Sequence, residues 1–201
     1  MSVLVTFIRH GKTAGNLRGA YIGKTDEPLC PEGAAALRER LADGFYPPEP
    51  GILLTSPLAR CRETAAILYP GAEPRPVADF RETDFGEFEG KSYADLNGNP
   101  DYQRWIDSGG QTAFPGGEEP AAFRERCAAA FRAETAALPD GSKLTIVCHG
   151  GTIMAILGAF SAPRRDFYDW QAPNGGGFRG MLDPKTGQIF EIAPLTGRKD
   201  G

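Results

Sequence analysis

Histidine is scarce in this chain: 201 residues contain two, His10 and His149, far apart and without a cluster of carboxylates beside either. That poverty is a poor signature for a metal centre, and no resident metal or other cofactor is expected. Cysteine is almost as sparse. Cys30, Cys61, Cys127 and Cys148 are widely scattered, with no C-x-x-C pair, so neither a disulfide framework nor a zinc site is expected. No apolar run approaches membrane length, since the run Val3 to Ile8 is far too short to cross a bilayer, and the N-terminus shows no basic leader. The expectation is a soluble cytoplasmic protein. Excess basic charge is lacking too: the net charge is −4, which argues against a nucleic-acid partner. Yet 16 of the 22 basic residues are arginines, the side chain suited to forked contacts with phosphate or carboxylate. Focused locally, they would suit a small anionic ligand.

What is present is a core. A hydrophobic content of 41% over this length supports one domain spanning 1–201. Three continuous apolar runs, Ser2 to Ile8, Gly51 to Thr55 and Lys143 to Cys148, read as strands buried on both faces. Between them lie helical patterns at Pro31 to Leu41, at Pro57 to Leu68 with Ser56 as N-cap, at about Glu118 to Leu138, and at Gly150 to Leu157. In the longest, Glu118 and Glu119 are placed in the first turn and Phe123, Cys127, Phe131 and Leu138 form the apolar face. Near the end, G-M-L-D-P-K-T-G-Q-I-F-E-I reads as a hairpin at a sheet edge. Strands alternating with helices predict an α/β fold, a three-layer α/β/α sandwich around a mostly parallel sheet. About 91–117 fits neither pattern, carrying Tyr93, Tyr102, Trp105 and Phe114 among glycines, prolines and polar residues. It is expected to be a small cap insertion whose aromatic residues are either a mini-core or substrate contacts.

Some motifs mislead. Gly19 to Thr25, G-A-Y-I-G-K-T, has three residues between its glycines where a phosphate loop needs four, and no strand precedes it, so it reads as a solvated loop. None of the four cysteines has an arginine six positions later, as a cysteine phosphatase would require. The two histidines, by contrast, occupy matching contexts: F-I-R-H-G at Phe7 to Gly11 and V-C-H-G-G at Val147 to Gly151. Each ends a strand-like run and is followed by glycine, which lets the backbone turn and approach a ligand. Ligands of open α/β sheets sit outside those strand ends. Arg60, one helical turn beyond Ser56 in T-S-P-L-A-R-C-R-E-T-A, can lean over the same edge. His10, His149, Arg9 and Arg60 are therefore expected to surround one pocket.

These residues resemble the histidine phosphatase superfamily, also called phosphoglycerate mutase-like. R-H-G-K-T-A-G-N resembles its R-H-G-x-T-x-x-N signature, T-S-P-L-A-R-C-R-E-T-A its second arginine motif, R-E-T-D-F-G-E-F-E-G its acid-bearing segment, and V-C-H-G-G its second histidine. The likeness runs in order from about Val3 to Gly158. Y-I-G-K-T-D-E-P-L, D-F-G-E-F-E-G and F-P-G-G-E-E look most like the alpha-ribazole phosphatase and broad-specificity branch. Two positions depart from it: Cys30 stands where serine or threonine usually precedes the helix, and Glu119 where serine commonly follows glycine-glycine-glutamate.

The resemblance implies a metal-independent phosphomonoesterase acting on a small phosphorylated metabolite through a phosphohistidine on His10. Arg9, Arg60, a cationic His149 and the backbone at Gly150 would hold the phosphoryl group, with Asn16 as a neutral donor. Those cations would keep His10 neutral near pH 7. Glu82 matches the family's general acid, in competition with Asp84, Glu87 and Glu89, and its role would call for a carboxyl that holds its proton in a dry site. The cap carries Arg104 but no arginine pair of the kind that lets the family's mutases hold a second acidic group. A cofactor-dependent phosphoglycerate mutase and a non-catalytic phospho-ligand binding module remain the alternatives, and monomer and homodimer are both open.

Overall fold

The structure, a computed structural model, describes residues 2–197, so residues 1 and 198–201 of the single domain expected over 1–201 lie outside the described residues. Strand β1 (Val3–Arg9) leads into a one-turn helix α1 (Ala14–Leu17), capped by Thr13. Helix α2 (Pro31–Ala42) starts on a proline whose fixed φ suits the first turn. Its N-cap is Cys30, whose Sγ accepts the Gly33 N–H at 3.3 Å. The sulfur thus takes the place of the serine or threonine hydroxyl.

Strand β2 (Ile52–Thr55) is followed by α3 (Ala59–Leu68), a two-residue strand β3 (Arg75–Pro76), and then α4 (Tyr93–Leu96) and α5 (Pro100–Asp107). Helix α3 begins two residues later than its sequence suggests. Leu58, which has no polar side-chain atom, is its N-cap, while the Ser56 hydroxyl both accepts the Leu58 N–H at 3.4 Å and lies 2.7 Å from His149 Nε2. The cap insertion is more regular than expected: Ser92 and Asn99 each cap a short helix, and Pro100 opens the second. Helix α6 (Pro120–Thr135) is shorter than the pattern at 118–138. Glu119 is its N-cap and Glu118 precedes it, so neither lies in the first turn.

Strand β4 (Lys143–Cys148) runs directly into α7 (Gly150–Phe160), and the hairpin β5 (Gly177–Leu182) and β6 (Ile189–Pro194) closes the described chain. The six strands lie in the order β3-β2-β4-β1-β5-β6. β1, β2, β3 and β4 pair in parallel, whereas β5 and β6 run antiparallel and place β6 at the edge.

Alternation along the strands sorts the core into two layers. Val3, Val5, Phe7, Leu144 and Ile146 face Phe123, Phe131, Ile153 and Ile156 of α6 and α7. Ile8, Leu53 and Val147 face Leu37, Cys61, Ala65 and Leu68 of α2 and α3. Burying rings such as Phe7 and Phe131, which meet at 5.8 Å between centroids, contributes about 2 kcal/mol each. This is the expected α/β/α sandwich. It leaves the carboxyl ends of β1, β2 and β4 side by side.

Candidate active site

His10 sits at the end of β1, 4% exposed, in a backbone framework supplied from both sides. Its N–H donates to Cys148 O at 3.0 Å, while its carbonyl accepts the Gly175 N–H at 3.0 Å and Asn174 Nδ2 at 3.2 Å. The Nδ1 nitrogen lies 2.7 Å from the Gly11 carbonyl. A carbonyl can only accept, so Nδ1 carries the proton and Nε2 keeps its lone pair. Burial, then Arg60 and Arg9, hold the imidazole well below its usual range. It is neutral at pH 7. Gly11 serves packing more than turning: a Cβ there would meet Leu37 Cδ1 at 2.7 Å.

Arg60 and His149 converge on His10 as their sequence contexts predict. The two imidazole rings are 5.1 Å apart at their centroids. The Arg60 Nε donates to His149 Nδ1 at 3.3 Å, and His149 Nε2 is 2.7 Å from Ser56 Oγ. Because Nδ1 is an acceptor here, His149 is the neutral Nε2–H tautomer and its proton points at Ser56. The expected cationic His149 is thereby corrected. Full burial first, and then Arg60 and His10, push it well below the usual histidine range. The guanidinium of Arg60, wholly buried, also donates to Gly23 O and Thr25 O at 2.7 Å each. In the G-A-Y-I-G-K-T loop it is therefore the carbonyls that serve the site. The N–H groups of Gly23 and Lys24 turn instead to the Glu89 carboxylate.

Arg9 reaches past Gly150 and donates to Ala172 O at 2.7 Å, leaving a buried Nε without a partner. Glu82 stands on the same side, its Oε1 accepting the Thr83 N–H and its Oε2 the Gly151 N–H, both at 3.0 Å. A Cβ on Gly151 would lie 2.2 Å from Glu82 Oε1, so only glycine admits this approach. Among the competing acids, Asp84 is paired with Lys24 and Glu89 with the loop, whereas Glu82 faces the cavity described below. Asn16 is more engaged than expected: its Oδ1 accepts the Thr13 N–H and Asn174 Nδ2.

Two supports were missed from sequence. Asn174, in A-P-N-G-G-G, ties Asn16 to the His10 carbonyl, and the run of three glycines was its only signal. Arg126 donates to the carbonyls of Asp79, Arg81 and Glu82 while paired with Glu118, fixing the backbone that carries Glu82. Both act across long sequence distances.

Beside this polar floor opens a cavity of about 620 Å³. Arg9, Glu82, Gly150 and Gly151 form its inner end, and Tyr21, Phe85, Trp105 and Phe114 its roof. The cap aromatics are core and lining at once. Tyr102, Phe88 and Leu96 are buried behind the roof, Trp105 and Phe114 stack at 4.9 Å, and Tyr93 stays exposed. Among the described residues no group of three or more histidine, cysteine or acidic side chains gathers to hold a metal, and no helix is long and apolar enough to cross a membrane. All four cysteines are free and buried, and burial pushes the Cys61 thiol, beside His149, up to about 12.

The chain resembles known proteins in sequence and in fold. The chain is 32% identical over 157 residues to the uncharacterized phosphatase PhoE of Bacillus subtilis, covering 76% of this chain and 75% of that protein. It is 30% identical over 158 residues to the adenosylcobalamin/alpha-ribazole phosphatase of Salmonella typhimurium, covering 75% of each. Relatives named as phosphoglycerate mutases also occur. In fold it matches the crystal structure of the alpha-ribazole phosphatase from Shigella flexneri, with a TM-score of 0.80, 20% identity and 98% of both chains covered. The family model of the histidine phosphatase superfamily, branch 1, matches residues 5–183, and the chain belongs to that superfamily.

Proposed function

We propose that this chain, a phosphoric monoester hydrolase by its family, hydrolyses a small phosphorylated metabolite through a phosphohistidine on His10, without a metal. The observation that carries the reading is the Nδ1···Gly11 O contact, which leaves a lone pair on Nε2 of an imidazole set between Arg9 and Arg60. In the first step Nε2 attacks phosphorus and the P–O bond to the alcohol breaks. The leaving oxygen takes its electron pair and a proton from Glu82. In the second step water attacks the phosphoryl group, Glu82 takes the water's proton, and the P–N bond breaks to release phosphate. Arg9 and Arg60 stabilise charge on the equatorial oxygens, the dominant contribution in a transfer that is mostly positioning and electrostatics. His149, neutral and bonded to Arg60, holds that guanidinium in place and presents no cation of its own.

The roof favours hydrolysis over mutase chemistry. A three-carbon sugar acid would fill little of a 620 Å³ cavity whose roof is aromatic. Alpha-ribazole phosphate is a candidate substrate, supported by the Salmonella relative's name and by the room for a ring system. The test is phosphate release from 4-nitrophenyl phosphate in the presence of a chelator, by wild type and by His10→Ala. Release by wild type alone is expected. Undiminished release by the variant would sink the nucleophile, and phosphoryl exchange without free phosphate would favour a mutase. A panel including alpha-ribazole phosphate and 3-phosphoglycerate then ranks substrates.

A further inference from the structure

Four charged side chains line the cavity: Arg9, Glu82, Glu118 and Arg124. Three are committed. Arg9 donates to Ala172 O, Glu82 accepts two backbone N–H groups, and Glu118 is paired with Arg126 and accepts the Asp84 N–H. Arg124 differs. Among the described residues it makes no hydrogen bond and no ion pair, and its guanidinium carbon lies 4.4 Å from the centre of the Phe167 ring. Phe167 lines the cavity as well, with the guanidinium over its face and the Tyr168 ring perpendicular to it at 5.0 Å between centroids. A guanidinium that sits over a ring face and makes no hydrogen bond keeps its N–H donors available to a ligand. The ring limits the side chain's freedom, so less entropy is lost when a ligand engages it.

Its position sets the geometry. Gly151 marks the inner end, where Glu82 is held, and Met154 lies three residues further along α7, a rise of about 4.5 Å. Arg124 and Phe167 form the wall beyond. Phe123, Met154, Trp105 and Phe114 give the same cavity large apolar surfaces.

We propose that Arg124 is a specificity-determining residue that reads an anionic group at the far end of the leaving alcohol. The preferred substrate is then a phosphomonoester with an apolar, ring-bearing middle and a carboxylate-like acceptor distal to the ester. This rests on the phosphomonoesterase reading and narrows its substrate class to anion-tailed esters, away from alpha-ribazole phosphate, whose benzimidazole end carries no anion. It differs from recognition of a small sugar acid, whose second acidic group lies close to the ester and cannot span an apolar middle.

The experiment compares paired esters that differ only in distal charge: 4-carboxyphenyl against 4-carbamoylphenyl phosphate, and the corresponding biphenyl pair. Wild type is expected to favour the carboxylate in at least one pair by about tenfold in kcat/KM, and Arg124→Gln to bring that ratio near one. Arg124→Lys should retain part of the preference. Arg164→Gln, a neighbouring exposed arginine outside this cavity, should leave the ratio as in wild type. An equal ratio in wild type and Arg124→Gln overturns the proposal, as does an equal loss in Arg164→Gln, which would mark a diffuse field in place of a contact. Hydrolysis of none of the esters would sink the phosphomonoesterase reading separately. Calorimetric affinities of the same pairs for wild type and Arg124→Gln would then decide the role of Arg124 by the same ratio.

Discussion

At the floor of the site His10, Arg60 and His149 are tied to backbone carbonyls and to one another, whereas the roof of Tyr21, Phe85, Trp105 and Phe114 is held by ring contacts and one Tyr21–Tyr102 hydroxyl bond of 2.8 Å. The floor is directional and buried, so each of its groups has one arrangement that satisfies it. The roof is apolar and tolerant in shape, so it can accept different alcohols without loss of its own packing. Chemistry and selectivity are thereby assigned to two kinds of matter.

Substitutions can break that division, and Arg60→Ala should have the largest effect. It removes the proposed phosphate clamp and strands the carbonyls of Gly23 and Thr25, so we expect turnover to fall about 10³-fold and stability by about 3 kcal/mol. A denaturant melt matching wild type would show that the buried guanidinium is not structural. Glu82→Gln comes next. Turnover should drop on the order of 10²-fold for an alkyl phosphate and much less for 4-nitrophenyl phosphate, whose leaving group needs no proton. Equal losses with both esters would remove Glu82 from the acid role.

The floor also predicts a dependence of stability on pH. Both histidines are depressed below their unfolded value near 6.5, so beneath that value the unfolded chain binds protons that the folded one refuses. Their contribution to stability is complete above pH 6.5 and is lost as pH falls, by about 1.4 kcal/mol per pH unit for each histidine. Melts at pH 7 and pH 5.5 check the sign, and His10→Asn should remove one histidine's share of the slope. A roof substitution should behave differently. Trp105→Ala is expected to lower kcat/KM for 1-naphthyl phosphate about tenfold and that for a small alkyl ester far less. The smallest effect is Tyr21→Phe, which deletes the hydroxyl bond to Tyr102 and should cost about 1 kcal/mol of stability with turnover nearly unchanged.

The same division decides what could be read in advance. His10, Arg9, Arg60 and His149 stand at strand ends or one helical turn beyond, positions that short-range periodicity marks directly, and the three parallel strands β1, β2 and β4 and most helices were legible for that reason. Local pattern could not show that the Ser56 hydroxyl would also bond His149, since that depends on a partner 93 positions away. Nor could it show that the Arg60–His149 bond fixes a neutral tautomer, or that Arg126 and Asn174 brace the site, because those are tertiary hydrogen bonds without sequence spacing. The cap was opaque for a related reason: its helices are four and eight residues long, too short to display a period.

The place of β1 in the sheet has a consequence for how the molecule comes into being. Its two neighbours are β4 and β5, which begin at Lys143 and Gly177, so the strand bearing His10 is made first and must wait for both partners. During synthesis it is an apolar segment with two unsatisfied edges, the kind of surface that invites aggregation and slows folding through long loop closures. His10, the proposed nucleophile, gains its full backbone frame only when Gly175 and the late hairpin dock. A chain stopped before Gly177 therefore lacks one of the two neighbours that hold this strand in place.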